Sequence, residues 1–157
     1  MAVVFITGMS GVGKSAVLDH LRNMGYNAVD TDYDYVLEIQ GRDGTERYWD
    51  IEKVASLLEE HMHSHLFLSG CCDNQGQFYG QFDHVVLLTC DLDVMLSRVE
   101  NRSSNPYGKT EAERAEIIDN YKNVLPLLYR RATLVIDTTN ISVSQVAEEI
   151  LALLKDA

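Results

Sequence analysis

The 157 residues, 46% hydrophobic and 24% charged, suit one domain with a true core, residues 1–157, and leave little for a second. A formal net charge of −11 argues against a nucleic-acid binder, because a phosphate backbone wants a basic surface; any anionic ligand must then be held by a local cluster of cations. Adjacent Cys71 and Cys72 with a third, Cys90, form no disulfide framework and suit a reducing, cytoplasmic setting, and no apolar run reaches the roughly 18 residues of a membrane span.

Along the chain, short apolar runs alternate with helical patterns, which predicts βαβ units around a parallel sheet. The N-terminus lacks a basic region and reads as a core strand, not a signal peptide, with the first strand at Val3–Thr7. A helix carrying Val17, Leu18, Leu21 and Met24 follows and is capped by Gly25. Tyr26–Asp30 is a second strand ending in acids. Asp50 N-caps a helix with Ile51, Val54, Leu58 and Met62. Leu66–Ser69 and Val85–Thr89 are the third and fourth strands, and a helix through Val94, Met95 and Val99 comes next. Thr110 and Glu113 make a capping box that opens a helix through Ile117, Tyr121, Val124 and Leu128, which Pro126 should kink or end. Leu134–Asp137 is the fifth strand, and Ser142 with Gln145 opens the last helix. The fold class is α/β: a three-layer sandwich with a five-stranded parallel sheet and a helical lid over about 98–115. In such sheets ligands sit at the carboxyl ends of the strands.

Gly8-Met9-Ser10-Gly11-Val12-Gly13-Lys14-Ser15 satisfies G-x-x-x-x-G-K-[ST] completely, between a strand and a helix. The backbone N–H groups of Gly8, Ser10, Gly11, Val12 and Gly13 are placed to wrap phosphates, and the following helix points its positive end at them. Lys14 reaches the outer phosphates and Ser15 can ligate Mg²⁺. Gly11 is an additional glycine, expected to add flexibility. The loop indicates binding of a nucleoside triphosphate but does not separate kinase, GTPase and ATPase. No N-K-x-D segment that would read guanine is present.

Asp30-Thr31-Asp32 ends the second strand beside that loop, with Asp34 two residues on. One carboxylate can hold Mg²⁺ and another can accept a hydroxyl proton, against the plainer reading of an acidic turn. Arg98 and Arg102 share a helix face, and Lys109 and Arg114 follow around Asn105-Pro106-Tyr107-Gly108. A closing lid with these cations would surround a transferring phosphoryl group.

The phosphate loop, the Asp30-Thr31-Asp32 step, the segment from Val85 to Arg98, and Leu127–Arg131 followed by Ile136-Asp137-Thr138 together resemble shikimate kinase and the nucleoside monophosphate kinase-like small-molecule kinases. The resemblance extends along most of the chain. It implies ATP and Mg²⁺ as cofactors, Mg²⁺ on Ser15 and Asp30, Asp32 as the acceptor-side acid or base, and Arg98 on the ATP base or its phosphates. The chain departs from the shikimate pattern at three places. Trp49 stands where an arginine is expected, with Arg47 two residues away; Ser69-Gly70-Cys71-Cys72 replaces a glycine triplet; and Asn105–Gly108 lacks the lid's R-P-L-type arginine. An acceptor other than shikimate follows.

The expected site is therefore Lys14, Asp32, Arg98 and Arg102 for catalysis, with Asp32, Trp49 and Arg131 on the acceptor. Tyr33, Tyr35 and Tyr48 can join Trp49 in stacking on it, and Asn74, Gln75 and Gln77 can hydrogen-bond it, though each also reads as core or ordinary loop. His61, His63 and His65 do not share a helix face and match no zinc spacing. The leading expectation is phosphoryl transfer from Mg·ATP to a small polar acceptor by a monomer, with neither nucleic acid nor membrane as partner. The alternatives are a nucleoside or nucleoside monophosphate kinase and a regulatory ATP-binding protein without an acceptor.

Overall fold

A computed structural model describes residues 1–41, 44–103 and 105–156. In chain order the elements are β1 (Val3–Thr7), α1 (Lys14–Asn23), β2 (Asn27–Asp30), β3 (Val36–Gly41), β4 (Gly44–Trp49) and α2 (Ile51–Glu60). Then come β5 (Leu66–Ser69), a 3-10 helix (Gln75–Gln81), β6 (His84–Thr89) and α3 (Leu92–Asn101). The chain continues with α4 (Glu111–Asn123), α5 (Leu125–Arg131), β7 (Leu134–Asp137), α6 (Val143–Ala152) and a short 3-10 turn. The five predicted strands form one parallel sheet in the order β2-β5-β1-β6-β7. The order reverses at β1, which places the phosphate loop and the acids after β2 at the crevice where such sheets bind ligands.

Because strand side chains alternate, each central strand feeds two apolar layers. Val4, Ile6, Phe67, Val86 and Leu88 pack with Val17, Leu18 and Leu21 of α1, Met95 and Val99 of α3, and Val146 and Ile150 of α6. Phe5, Leu66, Leu68 and Val85 point the other way, onto Val54, Leu57 and Leu58 of α2 and a cluster of Trp49, Phe78 and Phe82. This is the predicted three-layer sandwich. The α2 cap forms as expected: Asp50 accepts from the backbone N–H of Lys53 at 3.3 Å. Ile51 and Met62, however, face outward, and Leu57 takes their place in the core.

The break at Pro126 was expected, and the hairpin before α2 was not. The helix read through Leu128 is two helices, because Pro126 lies in the first turn of α5, where its missing N–H costs nothing. The segment between the acids and Asp50 is an antiparallel hairpin with Val36 opposite Trp49 and Glu38 opposite Arg47. Its two faces differ. One buries Trp49 and packs the half-buried Val36 at the root and, one step out, carries Glu38 and Arg47. The other holds Leu37 and Ile39, both about half exposed.

Candidate functional site

The phosphate loop is fixed by its surroundings. A Cβ on Gly8 would lie 2.4 Å from the Leu88 carbonyl oxygen, and one on Gly11 would lie 2.7 Å from that of Met95. Gly11 also has φ +85°, so it is required for close approach to α3 rather than for flexibility, which corrects the expectation above. Thr138, just past β7, donates its hydroxyl to the Val12 carbonyl at 2.8 Å. Arg98 donates to Thr138 Oγ1 at 2.9 Å, to the Thr138 carbonyl at 2.6 Å and to the Gly11 carbonyl at 3.4 Å. Lys14 Nζ donates to the carbonyls of Gly8 and Met9 across the loop.

Beside the loop, Ser15 Oγ donates to Asp30 Oδ2 at 2.9 Å, while Asp30 Oδ1 accepts the Asp32 N–H at 3.0 Å. A hydroxyl and a carboxylate meeting at the end of a phosphate loop are the oxygen donors Mg²⁺ takes alongside phosphate and water, so these residues fit that ion. Among the described residues no group of three or more His, Cys, Asp and Glu makes an all-protein metal cage. His61 instead contacts the Leu57 carbonyl at 3.0 Å, and His65 accepts the Ala2 N–H at 3.1 Å.

Thr31, fully buried between the two acids, donates to the Ser69 carbonyl at 2.6 Å and accepts the Trp49 indole N–H at 2.9 Å. Trp49 is 1% exposed and sits edge-on to Phe5 and Phe78. The expected acceptor contact from Trp49 is therefore corrected: the ring fills core and holds Thr31, and through it the turn that carries Asp30 and Asp32. Asn74 accepts the Trp49 N–H at 2.7 Å and donates to its carbonyl at 3.0 Å. Gln75 is buried and bonded to Cys72 N–H and Tyr79 Oη. Both are occupied in holding the hairpin root and the loop after β5.

A cavity of about 910 Å³ runs along the loop, with Ser15, Asp30, Asp32, Arg98 and Arg102 on its walls and Ile141, Val143 and Val146 at an apolar end. That size suits a nucleotide. Next to it, a second cavity of about 400 Å³ is lined by Gly8, Cys71, Glu113, Glu116 and Asn120. Lys14, Asp32, Glu38, Arg47 and Tyr107 line both. Arg47 lies 3.4 Å from Asp32 Oδ1 and 3.8 Å from Glu38 Oε1. It is the site residue that sequence reasoning passed over in favour of Trp49; period-two alternation from Val36 and the Asp43-Gly44 pair were the available signals.

The lid residues are held locally. Arg102 donates to the carbonyls of Asn105 at 3.2 Å and Tyr107 at 2.8 Å, and partial burial pulls its guanidinium below the ordinary arginine range. It remains a cation at any ordinary pH. Arg114 pairs with Glu100 at 3.3 Å. The expected lid spans Ser104, which lies outside the described residues. Arg131 does not line either cavity; its guanidinium sits 4.6 Å over the Tyr79 ring, so the expected acceptor contact from Arg131 is also corrected. Burial raises the Cys71 thiol despite nearby Lys14 and raises Cys72 to about 12, which makes both poor nucleophiles.

A family model described as an AAA domain matches residues 4–119, from β1 into α4. The chain belongs to this family. Among solved structures it is similar to shikimate kinase from Acinetobacter baumannii in complex with shikimate, with a TM-score of 0.68 and 23% identity, over 99% of this chain and 94% of that one. Shikimate kinase from Bacteroides thetaiotaomicron aligns at a TM-score of 0.60 and 16% identity, over 98% of each chain. The fold is thus a shikimate kinase-like P-loop fold, which implies nucleotide binding with Mg²⁺. A curated "Nucleotide-binding protein" from Desulforamulus reducens is 26% identical over 95% of this chain and 50% of its own length. The "RNase adapter protein RapZ" of Salmonella paratyphi B is 27% identical over 94% of this chain and 51% of its own length. The chain spans about half the length of the curated relatives it matches. Among the described residues no helix is long and apolar enough to cross a membrane.

Proposed function

We propose that the chain transfers the γ-phosphoryl group of Mg·ATP to a hydroxyl of a small polar acceptor other than shikimate. The observation that carries this reading is Asp32, which lines the nucleotide-sized cavity and the smaller one beside it. A carboxylate at that junction is within reach of a hydroxyl presented from the smaller cavity to a phosphate held by the loop. The acceptor oxygen bonds to the γ-phosphorus as the bond to the ADP oxygen breaks, and Asp32 takes the hydroxyl proton. Mg²⁺ on Ser15 and Asp30 would neutralise charge on the phosphate oxygens. Lys14 and the loop N–H groups orient those phosphates, and Arg98 and Arg102 line the same space from α3 and its end. Arg98, bonded to Thr138 and Gly11, first acts by holding the loop; Arg102 is nearer the lid turn.

A nucleoside acceptor has less support than the sequence suggested. Trp49 and Tyr35 pack in the core and Tyr48 bonds Glu46, which leaves Tyr33 on the wall of the larger cavity. A nucleotide-binding regulator without an acceptor is favoured by one specific observation, the names of relatives that match nearly the whole chain.

The test is ADP release from Mg·ATP against a panel of small metabolites and nucleotides, with Lys14→Ala as the blank. Stimulation by one compound class in the intact protein alone supports transfer. Tight nucleotide binding with no stimulation by any compound transfers the weight to the regulator.

A further inference from the structure

We propose that the acceptor carries a positive charge: a hydroxyl compound bearing an amine, not a carboxylate or a phosphate. This rests on the reading of the smaller cavity as the acceptor site. The cavity is bounded by the phosphate loop, the hairpin and one face of α4, where Glu113, Glu116, Ile117 and Asn120 recur at helical spacing. Four carboxylates line it, from Asp32, Glu38, Glu113 and Glu116, against two cations, Lys14 and Arg47.

Both cations already face other groups. Lys14 belongs to the phosphate loop and bonds its carbonyls. Arg47 stands between Asp32 at 3.4 Å and Glu38 at 3.8 Å, so two carboxylates already flank its one charge, although its buried Nε has no hydrogen-bond partner among the described residues. The remaining arginines near the strand ends are turned to other partners: Arg98 to Thr138, Arg102 to the carbonyls of Asn105 and Tyr107, Arg114 to Glu100 and Arg131 to Tyr79. None of these four lines the smaller cavity.

On the acidic wall, Glu116 accepts the Tyr107 hydroxyl at 2.5 Å, which commits that proton to the carboxylate and not to a ligand anion. Burial works to raise the Glu113 carboxyl, but bonds from the Thr110 side chain and the N–H groups of Gly108, Thr110 and Lys109 outweigh it and hold it below the usual range. It therefore stays ionised at neutral pH. A carboxylate entering this cavity would meet Glu113 and Glu116, which have no ion-pair partner among the described residues, beside an incoming γ-phosphate, on a chain of net charge −11. An ammonium group would donate to the same acids while its hydroxyl faces Asp32.

The test uses three probes of one size, glucosamine, glucose and glucuronate, titrated calorimetrically at low salt into protein loaded with Mg²⁺ and a non-hydrolysable ATP analogue. Glucosamine should bind about tenfold tighter than glucuronate, with glucose between them. Glu113→Gln with Glu116→Gln should shrink that ratio by up to about tenfold, roughly threefold for each partly exposed charge. Glutamine keeps the capping box and a partner for Tyr107, so the fold is retained. Equal binding, tighter glucuronate, or no saturation by glucosamine in the millimolar range would overturn the proposal. ADP release is followed in parallel. An amine preference without stimulated release would sink phosphoryl transfer and leave the charge inference standing. Stimulation by glucuronate alone would do the reverse.

Discussion

The phosphate loop and the β3–β4 hairpin both reach the same cavities, yet they are held in opposite ways. The loop is gripped from several elements: Leu88 behind Gly8, Met95 behind Gly11, Thr138 on the Val12 carbonyl and Arg98 on the Gly11 carbonyl. The hairpin is gripped at its root, where Trp49 is buried and Asn74 bonds both its backbone groups, while Leu37 and Ile39 farther out are half exposed. The nucleotide side is thus specified by the core of the sheet. The proposed acceptor side is carried in part on a local two-stranded element whose outer residues can change at little cost to the core, which would let one scaffold serve different ligands.

The largest effect expected from breaking that arrangement is at the hairpin root. Trp49→Ala removes a fully buried ring, its edge contacts with Phe5 and Phe78 and the hydrogen bond to Thr31, and should cost about 3–5 kcal/mol in urea unfolding. A loss below about 1 kcal/mol would mean that the hairpin is not anchored through this side chain.

On the loop side, Lys14→Ala should leave stability nearly unchanged and lower turnover by about 10²–10³-fold, the cost of removing one preorganised charge from a transferring group. If the protein is instead a regulator, the same substitution should still weaken Mg·ATP binding, with no turnover to lose. Paired measurements of unfolding and nucleotide binding on the Trp49 and Lys14 variants separate a stability anchor from a ligand contact.

The loop side was also the side legible in the sequence. Gly8–Ser15 is a contiguous motif, the five sheet strands are local apolar runs, and both capping boxes form as their spacing predicts. What was missed depends on pairing between distant residues. Thr138 meets Val12 across 126 positions, and nothing about a threonine after a strand announces that bond. Trp49 meets Thr31 and Asn74 only once the hairpin has formed; Arg47 shares its face one step farther from the root, so the ring is buried and the guanidinium reaches the cavity. Arg131 was assigned to the acceptor by its place in the chain, but α5 ends with that side chain over Tyr79.

A finer test of how tightly the loop is held compares two of its glycines. Gly11→Ala meets the Met95 carbonyl and Val99 at left-handed φ and should cost about 2–3 kcal/mol. Gly13, at φ +102° with nothing within 4 Å of a new Cβ, should cost about 1–2 kcal/mol from backbone strain alone. Equal costs in urea unfolding would show that contact with α3 adds nothing, and the contrast between a clamped loop and a root-held hairpin would weaken.

The smallest expected effect lies on the acceptor side, in the pH dependence of α4. The hydrogen bonds of the Thr110–Glu113 box hold the Glu113 carboxyl below its unfolded value of about 4.3. A group with a depressed folded value binds its proton later in the folded protein than in the unfolded one. Its contribution is therefore complete above the unfolded value and is lost as pH falls through the folded one. Glu113→Gln keeps the box but removes the titration. Urea midpoints for the two proteins should differ most near pH 6 and converge toward pH 3, since every other carboxylate titrates in both and cancels in the difference. Because Glu113 is partly exposed, the gap should also shrink in high salt. A gap that widened on acidification would mean that the carboxyl is favoured in its neutral form, and the acidic wall proposed for the acceptor would lose one of its charges.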